Sequence, residues 1–243
     1  MDIPRCIHQI WIQGVDAMPP HYRSAVLTWK TCNTGWTHRL WDGESLRALM
    51  LARAPEWWAV YSIQPEVEAK ADVARYALLH AIGGLYADID TECRRPIGPL
   101  LARSNSRLQA TYYSGDRRSP IDCATNSVVA SCPRHPIWSL VLRRVENNGL
   151  HMLVVCRTGP DMLRPVLRQY AEENPGDVTL IGYPHAITTF IMPKASMRAL
   201  SWMRRENCIL DFNDSGRRGR TAAFGIKTWP AAALRNLRRL VRK

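Results

Sequence analysis

The chain has 243 residues, of which 46% are hydrophobic and 22% are charged. This length and composition suit one globular domain with a sizeable core and exclude a largely disordered chain. We expect neither a transmembrane helix nor a signal peptide, because no run of about 18 apolar residues occurs and the first residues lead directly into a strand pattern.

The charge is strongly basic, with 33 Lys and Arg against 21 Asp and Glu and a net charge of +12. This charge suits nucleic acid, an anionic membrane surface or an anionic substrate. No helix-turn-helix, zinc-finger or RNP-type motif accompanies it, so the sequence argues against nucleic acid. The seven cysteines are scattered and never form C-x-x-C, which predicts reduced thiols and a cytoplasmic protein.

Strand and helix patterns alternate along the chain. Strands are predicted at 6–12, 36–41, the segment ending at Asp88–Asp90, 108–113, 126–131 and 177–182; helices are predicted from Pro19 to about Trp29 and at 44–53, 66–82, 136–147 and 160–173, with Pro55 as a helix stop. This order predicts an α/β fold with a mostly parallel central sheet and helices on both faces. Ligands of such folds bind beyond the carboxyl ends of the strands.

The most informative segment is Gly-Gly-Leu-Tyr-Ala-Asp-Ile-Asp, residues 83–90. Gly83 is the expected C-cap of the preceding helix, and a short apolar strand follows it. If this strand continues through the acidic residues, Asp88 and Asp90 point the same way. Two carboxylates on one side are suited to bind a hard divalent cation together with phosphate oxygens.

The helix predicted at 66–82 carries Asp72 and Arg75, which are three residues apart and therefore share one face. One interpretation is a surface ion pair worth a few tenths of a kcal/mol. The other is that this face lines the same pocket as Asp88 and Asp90, where a guanidinium can hold a diphosphate or a sugar hydroxyl. The spacing alone does not choose between the two.

These residues resemble a known family, the D-x-D glycosyltransferases that include fungal outer-chain α-mannosyltransferases and vertebrate α-1,4-galactosyl- and N-acetylglucosaminyltransferases. The central block resembles the family's sugar-binding region at Ala69, Ala71, Asp72, Arg75, Tyr76, Leu79, Gly83, Gly84, Tyr86, Asp88 and Asp90. The opening segment, residues 3–11, is similar to the family's first strand, I-P-x-x-I-H-Q-x-W. The resemblance implies a GT-A-like, Rossmann-type nucleotide-sugar-binding fold in one domain, residues 1–229.

The resemblance also implies a reaction and a site. Transfer of a hexose from a nucleotide-diphosphate sugar, with UDP favoured, to a glycan or glycolipid acceptor is expected, with retention of configuration. Asp88 and Asp90 would bind Mn²⁺ or Mg²⁺, while Asp72 and Arg75 would hold the donor sugar and its phosphates. The other donor-site residues implied are Gln9, Trp11, Tyr86, Asn126, Thr228 and Trp229. Structural roles remain open for Trp11 as a core aromatic and for Asn126 as a turn residue.

The C-terminal region departs from the family, because residues 222–229 lack the histidine that relatives carry before a Ser-Trp pair. This absence puts the metal affinity in question. Residues 230–243 form a basic amphipathic pattern, which predicts peripheral binding to an anionic membrane, such as the inner face of the cell membrane. The alternatives are a terminal helix docked on the domain and a disordered tail.

Two other functions compete with glycosyl transfer. The string Asp88-Ile89-Asp90-Thr91 matches the D-x-D-x-T motif of haloacid-dehalogenase-type phosphatases, in which the first Asp is the nucleophile. That motif normally follows the first strand, and no lysine lies between Lys70 and Lys194 to complete it. A non-catalytic basic binding protein is the second alternative.

Overall fold

The computed structural model describes residues 2–112, 120–182 and 188–190, the last group by its backbone alone. The strands are β1 Cys6–Ile10, β2 Thr37–Trp41, β3 Gly84–Ala87, β4 Thr91–Cys93, β5 Leu108–Tyr112, β6 Ala124–Ser131, β7 Val178–Ile181 and β8 Thr188–Phe190. The helices are α1 Pro20–Cys32, α2 Gly43–Arg53, α3 Pro55–Ser62, α4 Val67–Ile82, α5 Gly98–Leu101, α6 Ile137–Asn147, α7 Val154–Arg157 and α8 Pro160–Glu173.

Six strands form the central sheet in the order β2-β1-β3-β6-β5-β7. The pairs β1–β2, β1–β3 and β5–β7 are parallel, whereas β6 is antiparallel to both β3 and β5. The predicted mostly parallel sheet is therefore confirmed, with β6 as the reversed strand. Outside this sheet, β4 pairs with β8 in an antiparallel ribbon.

Helices cover both faces of the sheet, as predicted. Because successive side chains of a strand point to opposite faces, Tyr86 packs into a core cluster with residues of α2, α3, α4, α6 and α8. Its neighbour Leu85 packs into a second cluster with Trp29 of α1 and Leu101 of α5. The sheet thus separates two hydrophobic cores, and the larger one lies under α4.

Helix α2 stops before Pro55, as predicted, but the prediction missed the helix that begins there. Helix α2 ends at Arg53, and Pro55 is the first residue of α3. Proline suits the first turn of a helix because its missing N–H has no intrahelical acceptor there. Trp57 of α3 is completely buried in the larger core, where α3 packs against α4.

Two glycines make the tight junction between α4 and β3. Gly83 and Gly84 have φ angles of 64° and 101°, a region that L-residues with side chains rarely adopt. A Cβ on Gly83 would lie 2.6 Å from the backbone nitrogen of Pro133, and one on Gly84 would lie 2.6 Å from the carbonyl oxygen of Cys6. The pair therefore lets β3 enter the sheet directly beside β1 and brings residues 88–90 to its carboxyl edge.

The membrane-related predictions have different outcomes. Among the described helices, none is both long and apolar enough to cross a bilayer. The predicted basic tail at 230–243 and the domain limit at 229 lie outside the described residues, so both stay predictions.

Candidate functional site

The acidic pair lies at the carboxyl end of β3, where a ligand site is expected in this fold. The two residues are not on one extended segment, which corrects the geometry inferred from the sequence. Strand β3 ends at Ala87, and a turn follows in which the backbone N–H of Thr91 donates to the carbonyl of Asp88 at 3.2 Å. The Thr91 hydroxyl donates to the same carbonyl at 2.5 Å. The turn, not strand alternation, therefore sets the relation between Asp88 and Asp90.

Asp88 is held by three contacts. Its Oδ1 accepts a hydrogen bond from the Tyr86 hydroxyl at 2.8 Å and lies 3.0 Å from Nη2 of Arg75. Its backbone N–H donates to the carbonyl of Ser127 at 2.8 Å. Burial raises the pKa of Asp88, while Arg75 and Tyr86 oppose this shift. The two side-chain contacts, from Tyr86 and Arg75, both engage Oδ1, which among the described residues leaves Oδ2 as the oxygen available to a ligand.

Arg75 is the central cation of the site and is only 6% exposed. Its Nη2 lies 3.0 Å from Oδ1 of both Asp72 and Asp88, and its Nη1 donates to the carbonyl of Asn126 at 2.6 Å. The guanidinium carbon stands 4.6 Å from the centre of the Tyr86 ring. Burial lowers the pKa of Arg75, but Asp88 and its other anionic neighbours raise it above its usual value. Asp72 and Arg75 therefore form a buried pair and not a surface one.

Asp72 is also buried, and each of its oxygens has protein partners. Oδ1 accepts from Nδ2 of Asn126 at 2.8 Å, in addition to its contact with Arg75, and Oδ2 accepts from the Thr158 hydroxyl at 2.9 Å. The Tyr76 hydroxyl accepts from Nδ2 of Asn126 at 3.0 Å and donates to the carbonyl of Thr158 at 2.8 Å. Asp72 is thus firmly anchored, and its direct contact with a donor sugar stays a prediction.

Asp90 has a strongly perturbed carboxylate. Burial and then the neighbouring charge of Asp88 raise the pKa of Asp90 to about 7. In the part of the chain that the structure describes, no side chain donates a hydrogen bond to its carboxylate. Tyr22 of α1 lies near enough for the Asp90 charge to contribute, after burial, to a raised pKa of Tyr22.

The predicted residues of β1 lie beside the acidic turn. Gln9 is completely buried; its Nε2 donates to the carbonyl of Asp88 at 3.3 Å, and its Oε1 accepts from Nε2 of His38 at 2.9 Å. Trp11 follows β1, and its ring centre is 5.5 Å from that of Tyr22. The indole Nε1 of Trp11 is buried without a hydrogen-bond partner among the described residues. An unpaired buried donor of this kind suits a ligand acceptor.

The residues present fit a divalent cation such as Mn²⁺ or Mg²⁺. The described residues contain no cluster of three or more His, Cys, Asp or Glu side chains that could hold a metal ion alone. Mg²⁺ commonly binds to one or two carboxylates together with substrate phosphates and water. Oδ2 of Asp88 and the carboxylate of Asp90 supply that donor set, and a cation would relieve the repulsion that raises the pKa of Asp90. Phosphate oxygens and water would complete the coordination.

The site therefore brings together eight of the predicted residues: Gln9, Trp11, Asp72, Arg75, Tyr86, Asp88, Asp90 and Asn126. Thr228 and Trp229 lie outside the described residues, so their roles stay predictions. No role in the site was predicted from the sequence for Tyr22, His38, Tyr76 or Thr158. Tyr76 lies inside the central block that resembles the family, and this position was the signal that could have identified it.

The fold and this carboxylate–guanidinium site define a glycosyltransferase-type domain, and comparison with known proteins agrees. The family model "Glycosyltransferase sugar-binding region containing DXD motif" matches residues 19–107. An uncharacterized glycosyltransferase of Acanthamoeba polyphaga mimivirus is 30% identical over 184 residues, which cover 74% of this chain and 70% of the viral protein. The chain belongs to this family of DXD glycosyltransferases.

Further relatives are fungal, and solved structures share the fold. Inositol phosphoceramide mannosyltransferase 1 of Schizosaccharomyces pombe is 31% identical over 137 residues, 55% of this chain but only 40% of that protein. The PaToxG glycosyltransferase matches with a TM-score of 0.55 at 14% identity, covering 99% of this chain and 85% of that one. The UDP-bound glycosyltransferase domain of the YGT toxin matches with a TM-score of 0.51 at 10% identity, covering 77% and 80%. The GT-A-like fold predicted from the sequence is confirmed.

Proposed function

We propose that the protein transfers a hexose from a nucleotide-diphosphate sugar to a glycan or lipid-linked acceptor in a reaction that depends on a divalent cation. The observation that carries the proposal is the half-buried acidic turn at the carboxyl end of β3, in which Asp88 contacts the buried Arg75 guanidinium and Asp90 lies beside Asp88. Such a site is suited to a ligand that has both anionic oxygens and a bound cation.

Each residue of the site has a distinct role in this proposal. Oδ2 of Asp88 and the carboxylate of Asp90 would hold Mn²⁺ or Mg²⁺, which when bound supplies Lewis-acid stabilisation of the departing diphosphate. Arg75 remains protonated at all relevant pH values and fixes Oδ1 of Asp88 at 3.0 Å. Tyr86 donates to that same oxygen at 2.8 Å. Together they keep one face of Asp88 occupied and turn its other oxygen towards the ligand.

The donor nucleotide would lie against the segment that follows β1. Trp11 has a buried indole N–H without a partner among the described residues, and its ring packs at an angle of 43° to Tyr22. An aromatic surface of this kind is suited to flank a nucleobase. A UDP donor is supported by the UDP-bound toxin domain, which shares the fold. The fungal relatives are named mannosyltransferases, so GDP-sugars should be tested as donors alongside UDP-sugars.

The acceptor and the stereochemistry rest on the relatives alone. A glycolipid acceptor is supported by the name of the fungal inositol phosphoceramide mannosyltransferases. The chain spans only 40% of the length of the first of these proteins, so its substrate is a proposal for this chain. Retention of anomeric configuration follows from the resemblance to the family. Peripheral attachment to an anionic membrane through residues 230–243, in the cytoplasm, is proposed from the basic pattern of the tail.

A hydrolysis screen tests the proposed function. Purified protein is incubated with a panel of UDP- and GDP-hexoses, with Mn²⁺, Mg²⁺ or EDTA, and release of free sugar and nucleoside diphosphate is measured. We expect slow hydrolysis of one donor class that requires the cation and disappears in Asp90→Ala. Asp16→Asn, which changes an exposed carboxylate outside the acidic turn, serves as the matched control and should retain full activity.

Two outcomes contradict the proposal. One is hydrolysis that continues undiminished in EDTA or in Asp90→Ala. The other is release of phosphate from generic phosphoesters that Asp88→Asn abolishes, which would favour the phosphatase alternative. The fold argues against that alternative, because the acidic motif follows the third strand of the chain and not the first.

A further inference from the structure

The buried carboxylate of Asp72 depends on a side chain that is 86 residues away in the sequence. Oδ2 of Asp72 accepts a hydrogen bond from the Thr158 hydroxyl at 2.9 Å. Thr158 is completely buried, and Asp72 is 7% exposed. A charged carboxylate in such surroundings needs its hydrogen bonds, because water cannot replace a donor that is lost.

Thr158 is itself fixed from both sides. Thr158 caps the end of α7, where its backbone N–H donates to the carbonyl of Val154 in the first position of that helix, and its own carbonyl accepts from the Tyr76 hydroxyl at 2.8 Å. Nδ2 of Asn126 donates to both the Tyr76 hydroxyl and Oδ1 of Asp72. Asp72, Asn126, Tyr76 and Thr158 thus form a closed ring of hydrogen bonds that joins α4, β6 and the end of α7. Rings of this kind hold each member in a single orientation.

Arg157, the residue before Thr158, also holds this segment in place. Arg157 is completely buried; its guanidinium bonds Oε1 of Gln64 at 3.0 Å, the carbonyl of Met152 at 3.0 Å and the carboxylate of Glu66. These contacts fasten the segment that carries Thr158 to the residues that precede α4. The threonine hydroxyl therefore approaches Asp72 from a fixed backbone and not from a free loop.

The ring acts on the acidic pair through Arg75. Nη2 of Arg75 lies 3.0 Å from Oδ1 of Asp72 and 3.0 Å from Oδ1 of Asp88. The orientation of Asp72 consequently sets where this guanidinium stands beside Asp88. We propose that Thr158 is a positioning residue of the glycosyl-transfer site, whose hydroxyl orients Asp72 and thereby Arg75. This inference rests on the proposed function, because it assigns Thr158 to that same site.

The consequence of losing the hydroxyl follows from the geometry. In Thr158→Val the shape of the side chain is kept, but Oδ2 of Asp72 has no donor. The carboxylate is then held through Oδ1 alone, by Asn126 and Arg75, and we expect it to shift together with the guanidinium that it shares with Asp88. An error of position in the catalytic groups lowers the rate of the chemical step more than it weakens donor binding.

The experiment compares kinetic constants of three variants under conditions in which each is folded. For Thr158→Val we expect a fall in kcat of about 10-fold, about 1.4 kcal/mol in activation free energy, with the KM for the donor within about twofold of wild type. Thr158→Ser keeps the hydroxyl and should restore kcat to within about twofold. Thr179→Val is the matched control, since Thr179 lies on β7, the third strand from β3, and its hydroxyl bonds those of Ser104 and Ser106; its kcat should be unchanged.

Several results would overturn the inference. If Thr158→Val and Thr179→Val lower the melting temperature alike and both keep the wild-type kcat, Thr158 has only a structural role. Equal losses of kcat in Thr158→Ser and Thr158→Val would exclude the hydroxyl as the cause. A wild-type protein that neither hydrolyses nor binds any UDP- or GDP-hexose would instead defeat the proposed function, and with it this assignment.

Discussion

Asp90 should destabilise the metal-free protein at neutral pH, and removing its charge should therefore increase stability. Burial and the charge of Asp88 raise the pKa of Asp90 from 3.8 to about 7. A folded-state pKa above the unfolded value means that the native protein binds more protons than the unfolded chain between about pH 4 and pH 7. The stability of wild type should thus fall across this interval, whereas Asp90→Asn should not show this fall.

The magnitude follows from the size of the shift. About three pKa units correspond to an upper limit of about 4 kcal/mol. Because Asp90 is partly exposed, solvent screening reduces this figure, and we expect Asp90→Asn to be more stable than wild type by about 1–2 kcal/mol at pH 8. At pH 4 the two proteins should unfold with nearly the same free energy, since Asp90 is then protonated in the folded state.

Urea unfolding in EDTA at pH 4, 6 and 8 measures the difference directly. Addition of Mn²⁺ should stabilise wild type more than Asp90→Asn, because the substitution removes one of the two carboxylates that would hold the cation. Asp16→Asn, which removes an exposed carboxylate outside the acidic turn, controls for the general effect of net charge. If Asp90→Asn is no more stable than wild type at pH 8 in EDTA, burial and the charge of Asp88 do not raise the pKa of Asp90 in solution.

Three further predictions concern other parts of the molecule. Hydrogen bonds from Arg107 hold the pKa of Asp177 at about 2, so Asp177→Asn should lower the free energy of unfolding by about 2 kcal/mol at pH 7. Urea unfolding should show that this difference from wild type shrinks as the pH falls from about 4 to 2, and a difference that stays constant with pH would contradict the prediction. Gly84→Ala should lower the melting temperature by at least 8 °C, because a Cβ would lie 2.6 Å from the carbonyl of Cys6; an unchanged melting temperature would refute that contact. Trp11→Ala should raise the KM for the donor about 10-fold or more, whereas Trp11→Phe should raise it less, and equal KM values in steady-state kinetics would remove Trp11 from the donor site.

Local patterns in the sequence were sufficient to predict much of the fold. The apolar periodicity of residues 66–82 and the two glycines after them located α4 and the start of β3 to within one residue. Pro55 was correctly predicted to end α2, but α3 was missed because proline also begins helices and the burial of Trp57, which favours a helix there, is visible only in the structure. The turn at Asp88–Asp90 was missed because a D-x-D-T string suits a strand end and a threonine-closed turn equally well.

The site itself was only half predictable. Asp72, Arg75 and Asp88 were found through one continuous motif, but the choice between a surface ion pair and a buried one required the tertiary structure. Thr158 was not predictable from spacing, because its partner Asp72 is far away in sequence and meets it only when α7 packs against α4. Hydrogen bonds that close long loops depend on the whole fold and leave no local signature.

The missing histidine near the C-terminus matters less if phosphate oxygens complete the metal site. Among the described residues the carboxylate set consists of Asp88 and Asp90, and a donor diphosphate can supply further oxygen ligands. Cation and nucleotide should then bind cooperatively, and each should raise the affinity of the protein for the other by the same factor. Weak binding of Mn²⁺ alone would be compatible with this arrangement.

Calorimetric titration of Mn²⁺ into the protein, with and without saturating UDP or GDP, tests the central claim most directly. We predict at least 10-fold tighter Mn²⁺ binding in the presence of one of the two nucleotides, and loss of that enhancement in Asp90→Asn. Mn²⁺ binding that is the same with and without both nucleotides, or that Asp90→Asn leaves intact, would show that Asp88 and Asp90 do not join a cation to a diphosphate.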